Sequence, residues 1–436
     1  MRKTRRTLSL FAAAVLLAAA LPARAAGPVR LLAPTSSDIV ARELIVPTAS
    51  VELPAVNREA VTFAWPLKPG ETIETDTAPH TAVSREYWQR VTAAELKAGV
   101  TVHTSGPGAL IRINPLRQAL TDELAAIDPH SLALRTRDGR VLRDAEGMSQ
   151  LATPEELAQA GVPFPAGTSA FRLSEGLGAG EFTIQAPELP ADSQVVYVVH
   201  VFDRESPAAL ELQAARDVFF TGDSLEASAS LVAGDTLLPV EEVRAELVSP
   251  TGTVTPLETA VNPDGTLRIS GSLSSRELAG PGLWEVHVST LGHMDALTVR
   301  RDARTAFSYT IPTARLTGEA RVAARSDQLR IAVGVEAAAA GRYEVRAVLF
   351  GTGDDGRLHP AVRADAAAWL EPGIGSITLA VDAGTLASTG LAAPFELRDL
   401  RLMDQGRMQV LHRQARAAVL DRELVRGLRT GEGRLE

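Results

Sequence analysis

Histidine is the side chain best suited to move protons near neutral pH, and the chain contains eight. None lies in an H-E-x-x-H pair or at another close spacing that would offer two imidazoles to one metal ion. His200 differs from the others because it lies in the most apolar predicted strand, residues 195–202. An imidazole in such a run is either a hydrogen-bonded core residue or a group with a shifted pKa, and the core role is the more common. We keep His200 as a candidate binding residue.

Two carboxylates flank Arg204, where the first folded region should join the second. Asp203 and Glu205 are candidate calcium ligands, because oxygen ligands from Asp and Glu bind Ca²⁺. The further acidic motifs needed to complete a shell of six or more oxygens are not evident. We predict no other metal site.

A glycine-rich segment at residues 351–356 fits the G-x-G-x-x-G pattern and follows a predicted strand. A phosphate cradle needs a helix N-terminus directly after the loop. Here residues 357–360, which end in Pro360, follow the loop and do not read as a helix start. Asp354 and Asp355 within the loop would also repel phosphate. The segment therefore predicts a hairpin turn, and we predict no cofactor.

Nucleophilic catalysis has no recognisable motif in the chain. The G-x-S-x-G elbow is absent, as is the strand–helix alternation of the fold that carries it. A Ser-His-Asp triad assembled from distant positions stays open, and paired carboxylates cannot be assigned. We therefore predict no catalytic residue and keep a hydrolase site within residues 84–205 as an alternative.

Composition excludes several classes of protein. The 436 residues include no cysteine, which rules out a disulfide scaffold, thiolate metal sites and a cysteine nucleophile. The net charge of −9 works against binding to nucleic acid or to an anionic membrane surface. We therefore expect neither nucleic acid nor an anionic membrane surface to be a partner.

The start of the chain reads as a secretory signal peptide. Residues 1–6 are basic, residues 8–21 are apolar, and Ala23 and Ala25 supply the small residues of a cleavage site. An uncleaved anchor helix is the alternative. No second long apolar segment follows, so we expect no stable membrane insertion and a periplasmic or secreted protein after cleavage near Ala25.

Proline and alternation patterns divide the rest of the chain. Residues 26–80 are rich in proline and predict an extended arm that packs in places, for example through Phe63 and Trp65. Residues 81–205 predict an N-terminal β-rich domain with one or two short helices. One helix should start at Thr153, with Pro154 at its first position, and should stop at Gly161.

After residue 206 apolar and polar residues alternate with a period of two. The same order of predicted strands and turns recurs about 100 residues later. The hexapeptide at residues 242–247 matches the one at residues 344–349, and the surrounding strand order matches too. About seven short strands per unit is the size of an immunoglobulin-like sandwich. We predict a mainly all-β fold with three β-sandwich-like domains in series, the last two immunoglobulin-like. Their predicted ranges are residues 206–313 and 314–421, followed by a flexible tail at residues 422–436.

Short turn and strand motifs carry a resemblance to known modules. These motifs are Ser206-Pro207, Phe220-Thr221-Gly222-Asp223, residues 247–252 and residues 281–286. The region from about 206 to 313 resembles the immunoglobulin-like modules of bacterial exported proteins. The whole chain is similar to a family of exported proteobacterial proteins known only as a domain of unknown function. That resemblance implies a β-rich multidomain fold and brings no catalytic residues.

These observations favour an exported noncatalytic protein that serves as a binding or spacer protein built from immunoglobulin-like domains. We expect its partner to be a protein or glycan of the cell envelope. A hydrolase with its site in residues 84–205 is one alternative. A periplasmic assembly factor that binds partner strands at an exposed sheet edge is another.

Overall fold

The computed structural model describes residues 27–47, 57–68, 70–73, 78–116, 125–161, 163–190, 193–273 and 282–428. The predicted signal peptide and the end of the predicted tail lie outside these residues. Within them the chain forms thirty strands in six sheets and three short α-helices. The all-β, sandwich-like prediction is confirmed.

Among the described residues, four strands precede the first domain. They are β1 (Gly27–Arg30), β2 (Ile39–Val40), β3 (Val61–Pro66) and β4 (Thr81–Ser84). We call residues 27–66, which contain β1 to β3, the arm.

Two sheets enclose the core of the first domain, which includes Tyr87, Phe171 and Tyr197. Its strands are β5 (Glu86–Thr92), β6 (Val100–Thr104), β7 (Leu110–Pro115), β8 (Ala133–Thr136), β9 (Val141–Leu142), β10 (Met148–Ala152), β11 (Ser169–Leu173), β12 (Gly180–Gln185) and β13 (Val196–Phe202). One sheet has the order β10-β11-β7-β13-β5 and the other β6-β12-β8-β9. The apolar run that contains His200 is therefore an interior strand.

Short helices complete the first domain. They are α1 (Ala93–Ala98), α2 (Pro154–Gln159) and the 3₁₀ turns Pro129–Ser131, Asp144–Glu146 and Glu175–Leu177. The predicted helix start is confirmed, because the Thr153 hydroxyl accepts a hydrogen bond from the Glu156 amide at 3.3 Å and the Glu156 carboxylate accepts one from the Thr153 amide at 2.9 Å. The helix ends before Gly161, which has a φ of +67°.

The central domain also consists of two sheets around one core. Its strands are β14 (Ala208–Ala214), β15 (Val218–Phe220), β16 (Ser224–Ala233), β17 (Thr236–Leu237), β18 (Val240–Val248), β19 (Val254–Pro256), β20 (Glu258–Val261), β21 (Leu267–Ser272), β22 (Trp284–Met294) and β23 (Leu297–Thr310). The sheets run β20-β21-β16-β14-β4, with β17 beside β16, and β15-β23-β22-β18-β19. The last strand before the first domain, β4, thus extends the central domain.

The third domain is completed by the arm. Its own elements are β24 (Ala314–Ala324), β25 (Gln328–Ala337), β26 (Gly341–Thr352), β27 (Leu358–Leu370), β28 (Gly373–Asp382), α3 (Ala383–Ala387), β29 (Ala392–Asp404) and β30 (Gln409–Leu420). The sheets run β1-β24-β25-β28 and β2-β30-β29-β26-β27-β3. The glycine-rich segment forms the turn between β26 and β27, which confirms the predicted hairpin.

The arm packs differently from the prediction. Phe63 and Trp65 are 60% and 42% exposed, whereas Ala64 between them packs against the third-domain core. On a strand, side chains alternate between faces, so the small residue takes the inner face and the two rings take the outer one. The prediction that the arm packs through Phe63 is therefore wrong, whereas the Trp65 ring lies under the Arg363 guanidinium of β27, whose carbon is 5.2 Å from the ring centroid.

Candidate functional site

His200 lies on the outer face of the first domain's five-stranded sheet, between two neighbours in register. Trp88 on β5 and Arg112 on β7 stand directly opposite it. The Trp88 ring stacks on the imidazole with centroids 4.8 Å apart and planes at 18°. Arg112 is covered in turn by the Phe164 ring, 4.6 Å from the guanidinium carbon. His200 is 3% exposed.

Both ring nitrogens of His200 have partners. Arg112 Nε donates to Nδ1 at 2.9 Å, and Nε2 lies 2.7 Å from Glu86 Oε2. Because arginine only donates, Nδ1 accepts and the proton is on Nε2, which donates to Glu86. This hydrogen bond is the main cause that lowers the pKa of Glu86. With neither nitrogen free, His200 cannot take a proton from a substrate in this arrangement.

Sequence reasoning identified His200 but not its partners. Glu86, Trp88 and Arg112 come from two other strands, and each looks like an ordinary solvent-facing residue in its own alternation pattern. Only the register of the three strands brings them together. A local motif search has no means of finding such a cluster.

Asp203 is buried at the junction between the first and central domains, where it meets Arg301 of β23. Both side chains are 0% exposed, and Arg301 Nη2 lies 2.9 Å from Asp203 Oδ2. The same guanidinium nitrogen donates to the hydroxyls of Ser105 and Ser206, each at 2.8 Å. Arg301 Nε also donates to the Ala208 carbonyl at 3.1 Å. We call Ser105, Asp203, Ser206 and Arg301 the junction cluster.

The backbone approaches closely around this cluster. The Ser105 amide donates to Asp203 Oδ2 at 2.7 Å. At the next residue, Gly106, an added Cβ would lie 2.6 Å from the Ser206 amide nitrogen. Only glycine leaves room for that approach, so the loop after β6 is shaped to seat the junction cluster.

The two predicted calcium candidates lie in different surroundings. Asp203 is inside the junction cluster, where Arg301 already supplies a positive charge, whereas Glu205 is 54% exposed beside Arg204. Among the residues that the structure describes, no group of three or more His, Asp or Glu side chains could hold a metal ion. The calcium site at Asp203 and Glu205 stays a prediction.

A cleft of about 460 Å³ lies where the first domain's four-stranded sheet meets the β22–β23 turn of the central domain. His103 and Glu181 face each other across β6 and β12 in this cleft. Burial lowers the pKa of His103. The hydroxyls that line the cleft belong to Thr136 and Thr298, and the Thr136 hydroxyl donates to Asp138. The cleft thus has a base but no free serine nucleophile on its walls.

The junction between the central and third domains has its own charge pair. Arg413 on β30 binds the Asp217 carboxylate through both terminal nitrogens, at 2.6 and 3.0 Å. Next to it, Ile39 and Ala41 of the arm pack against Val218 and Phe220 of the central domain. This part of the arm therefore packs between the central and third domains.

No helix in the described part of the chain has the length and apolar character needed to cross a membrane.

Three family models match consecutive parts of the chain. They are the N-terminal, central and C-terminal domains of a domain of unknown function, DUF4785, at residues 52–203, 206–310 and 313–421. No match is found among curated proteins.

Among solved structures, a DUF4785 family protein from Legionella pneumophila is 23% identical, with a TM-score of 0.67 over 88% of this chain and 99% of that chain. The native conformation of Escherichia coli alpha-2-macroglobulin is 14% identical over 72% of this chain and 20% of that chain, with a TM-score of 0.27. The first likeness shows the fold, and the second is too distant to support an argument.

Proposed function

Because the chain belongs to the DUF4785 family of three-domain proteins of unknown function, we propose that it is an exported, noncatalytic binding protein whose three β-domains act as one rigid unit. The partner we propose is a protein or glycan of the cell envelope. In this proposal the last two domains are immunoglobulin-like modules, which bind partners through sheet edges and end loops.

The junction cluster is the observation that carries this proposal. A flexible spacer needs solvated, weakly packed junctions, as is usual between domains. Here an arginine and an aspartate with no solvent exposure join the first and central domains. Separating them would leave a buried charge without its partner, which is costly. A chain locked in this way presents fixed surfaces to a partner.

The noncatalytic part of the proposal is supported by how the candidate groups are used. Both nitrogens of His200 are committed to neighbours, and no serine is among the described residues that line the His103 cleft. Export is supported by the basic, apolar and small-residue pattern of residues 1–25.

Two measurements test the proposal. The full chain expressed in a bacterial host should fractionate with the periplasm or medium and begin near residue 26. Purified mature chain should turn over no substrate in a panel of esters, peptides and glycosides. The hydrolase alternative places its site in the His103 cleft, so turnover that is lost in His103→Ala and kept in the exposed variant His80→Gln would contradict the noncatalytic proposal.

A further inference from the structure

Among the described residues of the arm, the buried apolar side chains pack against other domains. Leu31 is buried in the core of the third domain, and Ile39 and Ala41 are buried against Val218 and Phe220 of the central domain. These residues are therefore buried by parts of the chain that lie far away in sequence.

Three edges of the third domain accept the arm in a defined register. β1 pairs with β24, β2 with β30 and β3 with β27, all antiparallel. Two hydrogen bonds continue the pairing, since the amides of Leu31 and Leu32 donate to the carbonyls of Gly318 and Ala417, each at 2.8 Å. The arm thus fills the strand-accepting edges that would otherwise be open.

Polar contacts accompany the strand pairing between the arm and the third domain. Arg30 faces Glu319 across β1 and β24. Asp38 accepts a hydrogen bond from the Ala415 amide at 2.7 Å, and Gln414 donates to the Leu32 carbonyl at 2.8 Å. The Asp38 carboxylate belongs to the arm's own sequence, so a strand without it would leave the Ala415 amide without this acceptor, and another copy of the same arm supplies it.

We propose that the arm is exchangeable and that the third domain of one copy accepts the arm of a second copy. The contacts are identical in the closed chain and in the exchanged pair, so only the joining segment and the concentration decide between them. Residues 67–80 connect β3 to β4, and a chain of that length spans up to roughly 45 Å when extended. This length is the upper limit on the distance between the end of β3 and the start of β4 in an exchanged pair.

Single cysteines test the exchange because the natural chain has none. Arg30 and Glu319 are exposed and directly opposed, so Arg30→Cys and Glu319→Cys mark the two sides of the pairing. Chains that each carry one of these changes and differ in mass are mixed at high concentration, incubated and oxidised. Exchange predicts a covalent heterodimer in roughly tenfold excess over a mixture of Arg30→Cys with Asp235→Cys, an exposed turn position of the central domain.

A double variant, Arg30→Cys with Glu319→Cys, calibrates the geometry in dilute solution, where it should form an internal disulfide. If the double variant closes its internal disulfide completely and the heterodimer is still no more abundant than in the Asp235→Cys mixture, exchange is overturned. Failure of the double variant to close internally would overturn it as well, because the arm would then not occupy this edge.

Discussion

Arg301 is the residue on which the junction between the first and central domains depends most. It occupies an inward position of β23, between the buried residues Val299 and Ala303. This position in the alternation of β23 is a signal present in the sequence, because a charged residue on the buried side of an alternating strand needs a buried partner. Which partner it takes was not predictable, since Asp203 lies in another domain.

We predict that Arg301→Met lowers the free energy of unfolding by about 3–5 kcal/mol, since it leaves the Asp203 carboxylate buried without its cation. The double variant with Asp203→Asn should cost less than the sum of the two single changes, because it removes both charges. Urea denaturation measures each value. The exposed Arg244→Met is the matched control and should change stability little. Equal, small effects at both arginines would contradict this role.

His412 predicts a pH dependence of stability. It is buried on β30 opposite Val40 of the arm, and burial lowers its pKa to about 4. The unfolded chain binds the proton with the ordinary pKa of about 6.5, so protons favour unfolding as the pH falls from 6.5 toward 4. Over that window the loss attributable to His412 should reach about 3 kcal/mol.

Urea denaturation at a series of pH values measures this loss. His412→Gln should flatten the curve between pH 6.5 and 4, whereas the exposed His80→Gln should keep the wild-type curve. The same slope in all three proteins would show that His412 does not carry the effect.

At the scale of elements, much of the fold follows from local patterns and the rest from pairings that no local pattern encodes. The helix at Thr153, the hairpin at residues 351–356 and the interior strand with His200 could be predicted, because capping, turn chemistry and apolar runs are local signals. The partners of the arm could not. β1 and β24 lie almost 300 residues apart, and a proline-rich segment gives no sign of which edge it joins.

Neighbouring leucines in the arm test how much its docking contributes. Leu31 is 8% exposed in the third-domain core, whereas Leu32 is 37% exposed. We predict that Leu31→Ala lowers stability by about 2–5 kcal/mol and speeds proteolytic removal of the arm, because it leaves a cavity. Leu32→Ala, with the same chemical change at a surface position, should have a much smaller effect. Similar cleavage rates for the two variants would mean that the arm is not held by its buried side.

At the scale of the whole molecule, the arm, the junction cluster and the Arg413–Asp217 pair tie three separate cores together. Sequence patterns indicated several domains in series but not how they are joined. Interdomain contacts involve single residues from distant strands, and such contacts leave no periodicity. The rigid-unit proposal therefore rests on the structure of the junctions.

A distance measurement between spin labels tests that proposal most directly, because a cysteine-free chain accepts labels only where they are introduced. Labels at Glu155→Cys on α2 and Asp235→Cys in the central domain should give one narrow distance distribution. Adding Arg301→Ala should broaden it, while adding Arg244→Ala should not. A broad distribution in the chain that keeps Arg301 would contradict the rigid unit.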